Sequence, residues 1–145
     1  MDSQSATSVT KPQADLALLL IRISGSLPFL YHGSAILFGA FGGLGPQRFS
    51  AVMHAPTIVG YLVGLAQFCG GLAILTGLFI RIGAVCITIV MLGAIFLVHL
   101  HSGFDVSKNG MEFALTQLLI ALALLIVGAG RYSLATLLPT PLQKL

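Results

Sequence analysis

Residues 57–101 read TIVGYLVGLAQFCGGLAILTGLFIRIGAVCITIVMLGAIFLVHLH, an apolar run in which Arg81 is the only lysine, arginine, aspartate or glutamate. A helix that crosses a membrane needs about 20 predominantly apolar residues, so this stretch is long enough for two. Every backbone polar group in hydrocarbon must be satisfied within the protein, which leaves helices as the expected structure. The stretch therefore predicts two consecutive spans, 57–79 and 82–101, joined by a tight turn at Arg81.

Apolar runs of similar length occupy residues 16–41 and 111–128. The whole chain is 57% hydrophobic and 8% charged, with a mean hydropathy of +1.01, whereas a soluble domain carries about a quarter charged residues. These patterns predict an all-α integral membrane four-helix bundle over residues 15–134. A disordered polar N-terminus is expected over residues 1–14, and a C-terminal tail over residues 135–145.

The distribution of positive charge predicts how this bundle is oriented. Two basic residues, Arg48 and Lys108, fall on the side of the connections 42–56 and 102–110. The basic residues on the side of the termini are Lys11, Arg22, Arg81, Arg131 and Lys144. Because lysine and arginine are enriched in cytoplasmic segments, both termini are predicted to be cytoplasmic. The basic residues form no stripe, so nucleic acid is not an expected partner.

A short internal repeat relates the first and third spans. LLIRISG at 19–25 is similar to LFIRIGA at 78–84, and we expect Arg22 and Arg81 to anchor equivalent helices by snorkelling to the interface. Asp15 lies about two turns before Arg22 on the same helix face. This spacing allows an ion pair between the two side chains if the helix extends past the membrane.

Counting along the helices gives the depth of each polar side chain. His99 is 18 residues from Arg81 and Glu112 is 19 from Arg131, which places both near the outer interface at a rise of about 1.5 Å per residue. His32 and Gln67 fall near the middle of their spans. An ionisable residue at that depth is a functional hypothesis, with Gln67 or a carbonyl freed by Pro28 as the expected partner of His32. His32, Gln67, His99 and Glu112 are the predicted ligand-binding residues.

The outer cluster has structural as well as functional interpretations. His99 and His101 are two residues apart, so on a helix they point about 200° away from each other. They cannot both bind one metal ion unless the helix unwinds, and no metal site is predicted. Glu112 can close a capping box with Asn109 as the N-cap, or it can pair with His99 as an acid–base couple.

The positions of the histidines and cysteines bear on two redox centres, a haem and a dithiol. A haem held by two imidazoles needs both at one level, and His32 lies about a dozen Å deeper than His99. The pair His54 and His99 remains open. Cys69 and Cys86 fall in different spans at different depths, and no Cys-x-x-Cys is present, so a dithiol centre is not expected.

The order of these segments resembles the DoxX family of small four-span membrane proteins. The matching pieces, across residues 16–134, are RISGSLPFLYHG, GGLAILTGLFIRIGA, HLHSGF, GMEFAL and GAGRYSL. The resemblance implies a four-helix bundle in a bacterial inner membrane and a link to redox chemistry. Relatives include a subunit of a thiosulfate:quinone oxidoreductase and a partner in a thiol-stress oxidoreductase complex. The chain departs from many relatives in carrying Gln67 where they have glutamate, and in lacking a lysine after YHG.

Two hypotheses of function follow. In the first, the chain is a subunit or partner of a quinone-linked oxidoreductase system that uses a sulfur or thiol donor, and His32, Gln67, His99 and Glu112 contact a quinone. In the second, it is a non-catalytic accessory subunit that anchors or stabilises a larger membrane complex. A conduit for small solutes or ions is a third option. Whether the chain catalyses a reaction stays open, and the lipid bilayer and other membrane subunits are its expected partners.

Overall fold

The computed structural model describes residues 10–139, and all regular elements in this range are helical. The α-helices are α1 (Lys11–Phe38), α2 (Gly45–Val52), α3 (Thr57–Thr76), α4 (Ile80–Ala94) and α5 (Glu112–Val127). The chain continues from α4 through a π turn, Ile95–His99, and a 3-10 turn, Leu100–Ser102. The predicted all-α class is confirmed.

Among the described residues, three helices are long and apolar enough to cross a membrane: α1, α3, and α4 with its continuation to Ser102. The remaining apolar helix, α5, has 16 residues. Its length is about 24 Å at the standard rise, against a hydrocarbon core of about 30 Å. Residues 10–139 therefore form an all-helical structure with three membrane-capable helices and one shorter apolar helix.

Helix ends differ from the predicted spans where capping chemistry intervenes. α1 begins at Lys11, inside the segment 1–14 predicted as disordered, and the Gln13 side-chain oxygen accepts a hydrogen bond from the Thr10 N–H at 2.9 Å. Residues 1–9 and 140–145 lie outside the described residues. At their other ends α1 and α3 stop at Gly39 and Gly77, whose φ angles of 66° and 75° terminate a helix at little cost.

The four long helices form a ring in which α1 packs on α3, α3 on α4, α4 on α5, and α5 on α1. Glycines make the close approaches. A methyl group on Gly33 would lie 2.6 Å from the Phe68 backbone nitrogen, and one on Gly83 would lie 2.7 Å from Ala73 Cβ. Small residues at such positions let helices pack closely in membranes. One face of α3 is buried and carries Gly60, Gly64, Gln67 and Gly71.

One end of the bundle, here called the Arg22 end, is organised by a buried guanidinium. Arg22 is 1% exposed and donates to carbonyls at the end of α3 and in the segment that follows α5. Its hydrogen bonds reach the oxygens of Ile74 (2.9 Å), Leu75 (2.6 Å), Ala129 (3.0 Å) and Tyr132 (2.6 Å). The last carbonyls of a helix lack intrahelical partners, and the five donors of arginine satisfy several of them at once.

Two predictions about this end are wrong. Arg22 does not snorkel to the interface, because the carbonyls that it satisfies lie inside the bundle. Arg81 is exposed and does not repeat that arrangement. Asp15 makes no ion pair with Arg22, since its Oδ1 accepts a hydrogen bond from the Arg131 backbone N–H at 3.0 Å.

The opposite end, here called the His99 end, carries α2, the π turn and the connection 103–111. Ser50 of α2 ties this end to α3, because its hydroxyl accepts a hydrogen bond from the Gly60 N–H at 2.8 Å. Between the two ends lies an apolar core that includes Phe29, Ile74, Ile87, Met91, Ala121 and Leu124. The predicted polar site falls at the His99 end of this core.

Candidate functional site

A cavity of about 190 Å³ lies between α1, α3, α4 and α5 at the His99 end, with Phe49 of α2 in its wall. It brings together three of the four predicted ligand-binding residues, His32, Gln67 and His99. The other lining residues are Pro28, Phe29, Ile36, Met91, Ala94, Phe113 and Ala114. Aromatic and aliphatic side chains form most of the cavity wall and surround a few polar groups, which is the usual composition of a small-molecule site.

Two polar side chains of the cavity are not engaged by the protein. Gln67 is 7% exposed, and His32 stands at the rim with its ring edge-to-face against Tyr31 at 5.3 Å. Across residues 10–139, neither the His32 ring nor the Gln67 amide has a hydrogen-bond partner. The partners predicted for His32, namely Gln67 or a carbonyl freed at Pro28, are therefore not the ones it uses. Both groups keep their hydrogen-bonding capacity for a ligand.

His99 is held in place by the connection that follows it. The π turn Ile95–His99 replaces the regular helix at this point, and such turns are frequent at functional sites. His99 Nδ1 lies 2.7 Å from the Asn109 carbonyl oxygen. A proton on Nδ1 satisfies that contact and leaves Nε2 as the free ring nitrogen. His101 is exposed on the following turn and does not line the cavity.

The capping box predicted for Glu112 is not formed. Met111 is the N-cap of α5, and Asn109 adopts a left-handed conformation with φ of 63° at the end of a 3-10 turn. The Glu112 carboxylate instead accepts a hydrogen bond from the Val106 N–H at 3.2 Å, and its backbone N–H donates to the Phe104 oxygen at 3.0 Å. Glu112 thus holds the connection 103–111 in place. It does not line the cavity that His32, Gln67 and His99 share.

Asp105 is a further acidic residue of this connection. Its Oδ1 accepts hydrogen bonds from the Ser107 N–H at 2.9 Å and the Ser107 hydroxyl at 2.8 Å. These bonds stabilise the charged carboxylate and lower the pKa of Asp105 below its ordinary value. Within residues 10–139, no group of three or more histidine, cysteine, aspartate or glutamate side chains is arranged to hold a metal ion.

Gln117 is a buried polar residue that the sequence analysis did not consider. It is 5% exposed, and its Oε1 has no hydrogen-bond partner among the described residues. Gln117 follows Phe113 and Ala114 by one turn on the same face of α5, so it lies next to the cavity wall. A single amide within the apolar run of α5 was the signal that could have identified it.

A second cavity, of about 240 Å³, lies at the Arg22 end between the start of α4 and the segment that follows α5. Arg81, Ser133 and Thr136 contribute its polar groups. The Thr136 hydroxyl is already used, since it donates to the Ser133 carbonyl at 2.7 Å. None of the predicted ligand-binding residues lines this cavity.

Comparison with known proteins identifies a family and one similar protein. The DoxX family profile matches residues 17–100, which is more than half of the chain and includes His32, Gln67 and His99. A protein of Bacillus subtilis (strain 168) named "Putative oxidoreductase CatD" is 26% identical over 115 residues, covering 79% of this chain and 81% of CatD. No solved structure matches the chain.

Proposed function

Because the chain belongs to the DoxX family of membrane proteins, we propose that it is a membrane subunit of a quinone-linked oxidoreductase system. The cavity at the His99 end binds the quinone ring. The observation that carries this proposal is the pair of unpartnered polar side chains, His32 and Gln67, in an otherwise apolar cavity of about 190 Å³. The similar protein CatD is named a putative oxidoreductase, and this name supports the same class of function.

The size and chemistry of the cavity fit a single substituted ring. An apolar protein cavity of about 150 Å³ accommodates benzene, so about 190 Å³ leaves room for a ring with small substituents. A quinone presents two carbonyl oxygens, which accept hydrogen bonds from the Gln67 amide and from a protonated ring nitrogen of His32. Phe29 and Met91 supply apolar walls for the ring faces.

The sulfur half of the reaction belongs to a partner subunit. Reduction of a quinone to a quinol takes two electrons and two protons, which two thiols supply as they form one disulfide. Cys69 and Cys86 of this chain are free cysteines on α3 and α4. Because these two cysteines lie on different helices and form no disulfide with each other, we assign binding of the acceptor to this chain and oxidation of the thiol donor to a partner subunit.

A quinone-binding titration on purified protein tests the proposal. His32→Ala and Gln67→Leu each remove one hydrogen bond to the ring, and each is expected to weaken binding about tenfold, since about 1.4 kcal/mol corresponds to that factor. His101→Ala is the matched control, because His101 is exposed and does not line the cavity. Unchanged binding in both cavity variants would contradict the proposal.

A second candidate function is that of a non-catalytic accessory subunit. It is favoured by the engagement of His99 with Asn109 and of Glu112 with Val106, because these contacts leave no acid–base pair in the cavity. In that case the protein co-purifies with a larger membrane complex at fixed stoichiometry and shows no saturable quinone binding. The same titration therefore discriminates between the two functions.

We also propose that α5 is a fourth span. Its first residues are bonded to the connection 103–111 at the His99 end, through Glu112 and Phe104. Its far end reaches Arg22, which holds the Ala129 oxygen together with the Ile74 oxygen at the end of α3. Because α5 extends between the same two ends as the other helices, its 16 residues suffice where the flanking turns add length.

We further propose that both termini face the cytoplasm of a bacterial cell and that the His99 end faces outward across the inner membrane. Lys144 lies outside the described residues and Arg22 is buried. Excluding those two, the Arg22 end retains Lys11, Arg81 and Arg131, against Arg48 and Lys108 at the His99 end.

Accessibility to a membrane-impermeant maleimide tests this orientation in intact cells. Ser107→Cys should be labelled from outside and Ser133→Cys only after lysis, in a background in which Cys69 and Cys86 are replaced by alanine. The reverse labelling pattern would show that the orientation is opposite to the proposed one. Labelling of both sites from the same side would show that α5 does not cross the membrane.

A further inference from the structure

The cavity at the His99 end has a mouth that can be located from the exposure of its walls. Among the described residues that line it, only His32 and Phe113 are exposed, and Phe113 is 45% exposed. The other lining residues are buried or partly buried. His32 belongs to α1 and Phe113 to α5. The cavity therefore opens sideways between these two helices.

This opening is confined to one level of the α1–α5 seam. Towards the Arg22 end the two helices touch, because a methyl group on Gly25 would lie 2.7 Å from Ile120 Cγ2. Pro28, one turn further along α1, and His32, two turns further, line the cavity. Proline lacks the N–H that would bond the preceding turn.

The exposed side chains beside the opening are aromatic, as a surface in contact with lipid would require. Tyr31, next to His32 on α1, is 48% exposed and Phe113 on α5 is 45% exposed, and both belong to apolar helices of a membrane protein. An unpartnered imidazole at such a boundary is unfavourable unless a ligand or another polar group reaches it. The position of His32 at the mouth thus indicates where the polar part of a membrane-dissolved molecule would be held.

We infer that the ligand enters the cavity laterally from the membrane and that it is a lipid-soluble quinone whose apolar tail leaves through the gap between α1 and α5. This inference rests on the proposed quinone-binding function. A volume of about 190 Å³ holds a ring but no long tail, so a tailed quinone needs an exit from the cavity. The opening between His32 and Phe113 supplies that exit, and it leads to hydrocarbon.

The absence of tryptophan from the chain makes a fluorescence experiment direct, because a quinone quenches indole fluorescence at short range. Phe113→Trp places the single tryptophan at the mouth. Phe96→Trp is the matched control: Phe96 is also an exposed phenylalanine, at 64%, near the same end of the bundle, but it lies on α4's continuation and does not line the cavity. Both variants are reconstituted in nanodiscs and titrated with decylubiquinone and with the same ring lacking the decyl tail.

The expected result is saturable quenching of Phe113→Trp by decylubiquinone at about one equivalent, and quenching of Phe96→Trp that rises only with quinone concentration in the lipid. Saturable quenching by the tail-less ring alone would overturn lateral access while leaving the quinone site intact. No saturable quenching of Phe113→Trp by either compound would overturn quinone binding itself. If Phe113→Trp fails to fold by size-exclusion chromatography, Tyr31→Trp beside His32 gives the same readout.

Discussion

The two ends of the bundle treat buried polar groups in opposite ways. At the Arg22 end, one guanidinium is 1% exposed and donates to four carbonyl oxygens of the α3 end and of the segment after α5. At the His99 end, His32 and Gln67 reach a cavity without a hydrogen-bond partner among the described residues. The first arrangement closes the bundle and the second leaves capacity for a ligand. Satisfaction of polar groups, rather than their depth, separates a structural site from a candidate binding site.

Arg22 and Arg81 make the same point within a repeated motif. Both follow an apolar residue in the sequence Ile-Arg-Ile, yet one is buried and the other exposed. Arg81 is the second residue of α4, so it lies at a helix end. Arg22 is in the interior of α1, because that helix begins at Lys11. Position along the helix, and not the local sequence, determines which arginine meets the unpaired carbonyls.

The largest effect on stability is expected from Arg22→Met. The substitution removes every donor that satisfies the Ile74, Leu75, Ala129 and Tyr132 carbonyls, and breaking such a buried charged network costs about 3–5 kcal/mol. Arg81→Met should change the free energy of unfolding by less than about 0.5 kcal/mol, since Arg81 is exposed. Denaturant unfolding in detergent, followed by circular dichroism, measures both.

Arg22→Lys is the informative intermediate in this series. Lysine keeps the charge but has a single ammonium group in place of the planar fork, so it should recover only part of the loss. Equal stability of the Arg22→Met and Arg81→Met proteins would show that the carbonyl contacts do not hold the Arg22 end together.

The sequence predicts the helices well because hydrocarbon permits few alternatives. It also groups His32, Gln67 and His99 as candidate ligand-binding residues, but the constant rise per residue places His32 about a dozen Å deeper than His99, and that count does not show that they line one cavity. Depth does not predict the role of Glu112, because the connection before it is not helical. There the Met111 N–H donates to the Gly103 oxygen at 3.0 Å and folds the chain back. Counting from Arg131 gives a level for Glu112, but it does not show that this folded connection offers the Val106 N–H to the carboxylate.

The role of Arg22 could not be predicted for a different reason. Its partners are separated from it by 52, 53, 107 and 110 residues. Which helix ends come near the side chain depends on how α3 and α5 pack against α1. That packing is set by close approaches such as those at Gly33 and Gly25, which no local pattern specifies. The gap between α1 and α5 is a product of the same packing.

The next largest effect is expected at Gln117, between the two ends. Its buried Oε1 has no partner among the described residues, and an unsatisfied buried group costs about 1–3 kcal/mol. Gln117→Leu should therefore raise the free energy of unfolding by about 1 kcal/mol. Gln67→Leu should stabilise by a similar amount but also weaken quinone binding, because Gln67 lines the cavity.

Unfolding and quinone titrations on the Gln117→Leu and Gln67→Leu proteins show which of the two amides belongs to the binding site. If Gln117→Leu instead lost stability, the Gln117 amide would have a hydrogen-bond partner outside the described residues. Loss of quinone binding in Gln117→Leu would extend the site along α5 by one turn.

A smaller effect is expected from the histidines of the His99 end. His99→Phe loses the ring contact to the Asn109 oxygen and should cost about 0.5 kcal/mol, the lower end of the net contribution of one hydrogen bond, because this contact is exposed. His101→Phe is the matched control, because His101 is exposed. Limited proteolysis of the connection 103–111 should be faster in His99→Phe than in His101→Phe. Equal rates of cleavage would show that His99 does not stabilise that connection.

The smallest effect should come from acid titration of Asp105. Hydrogen bonds from Ser107 lower the pKa of the folded-state carboxyl, so the carboxylate stabilises the turn at pH values above its ordinary pKa. That contribution is lost as the pH falls through the lowered folded-state pKa. Proteolysis of the connection 103–111 by an acid protease should therefore accelerate as the pH falls from about 5 to about 2. The acceleration should be weaker in Asp105→Asn, which carries no titratable group there, and identical pH profiles for the two proteins would show that Asp105 does not hold the turn.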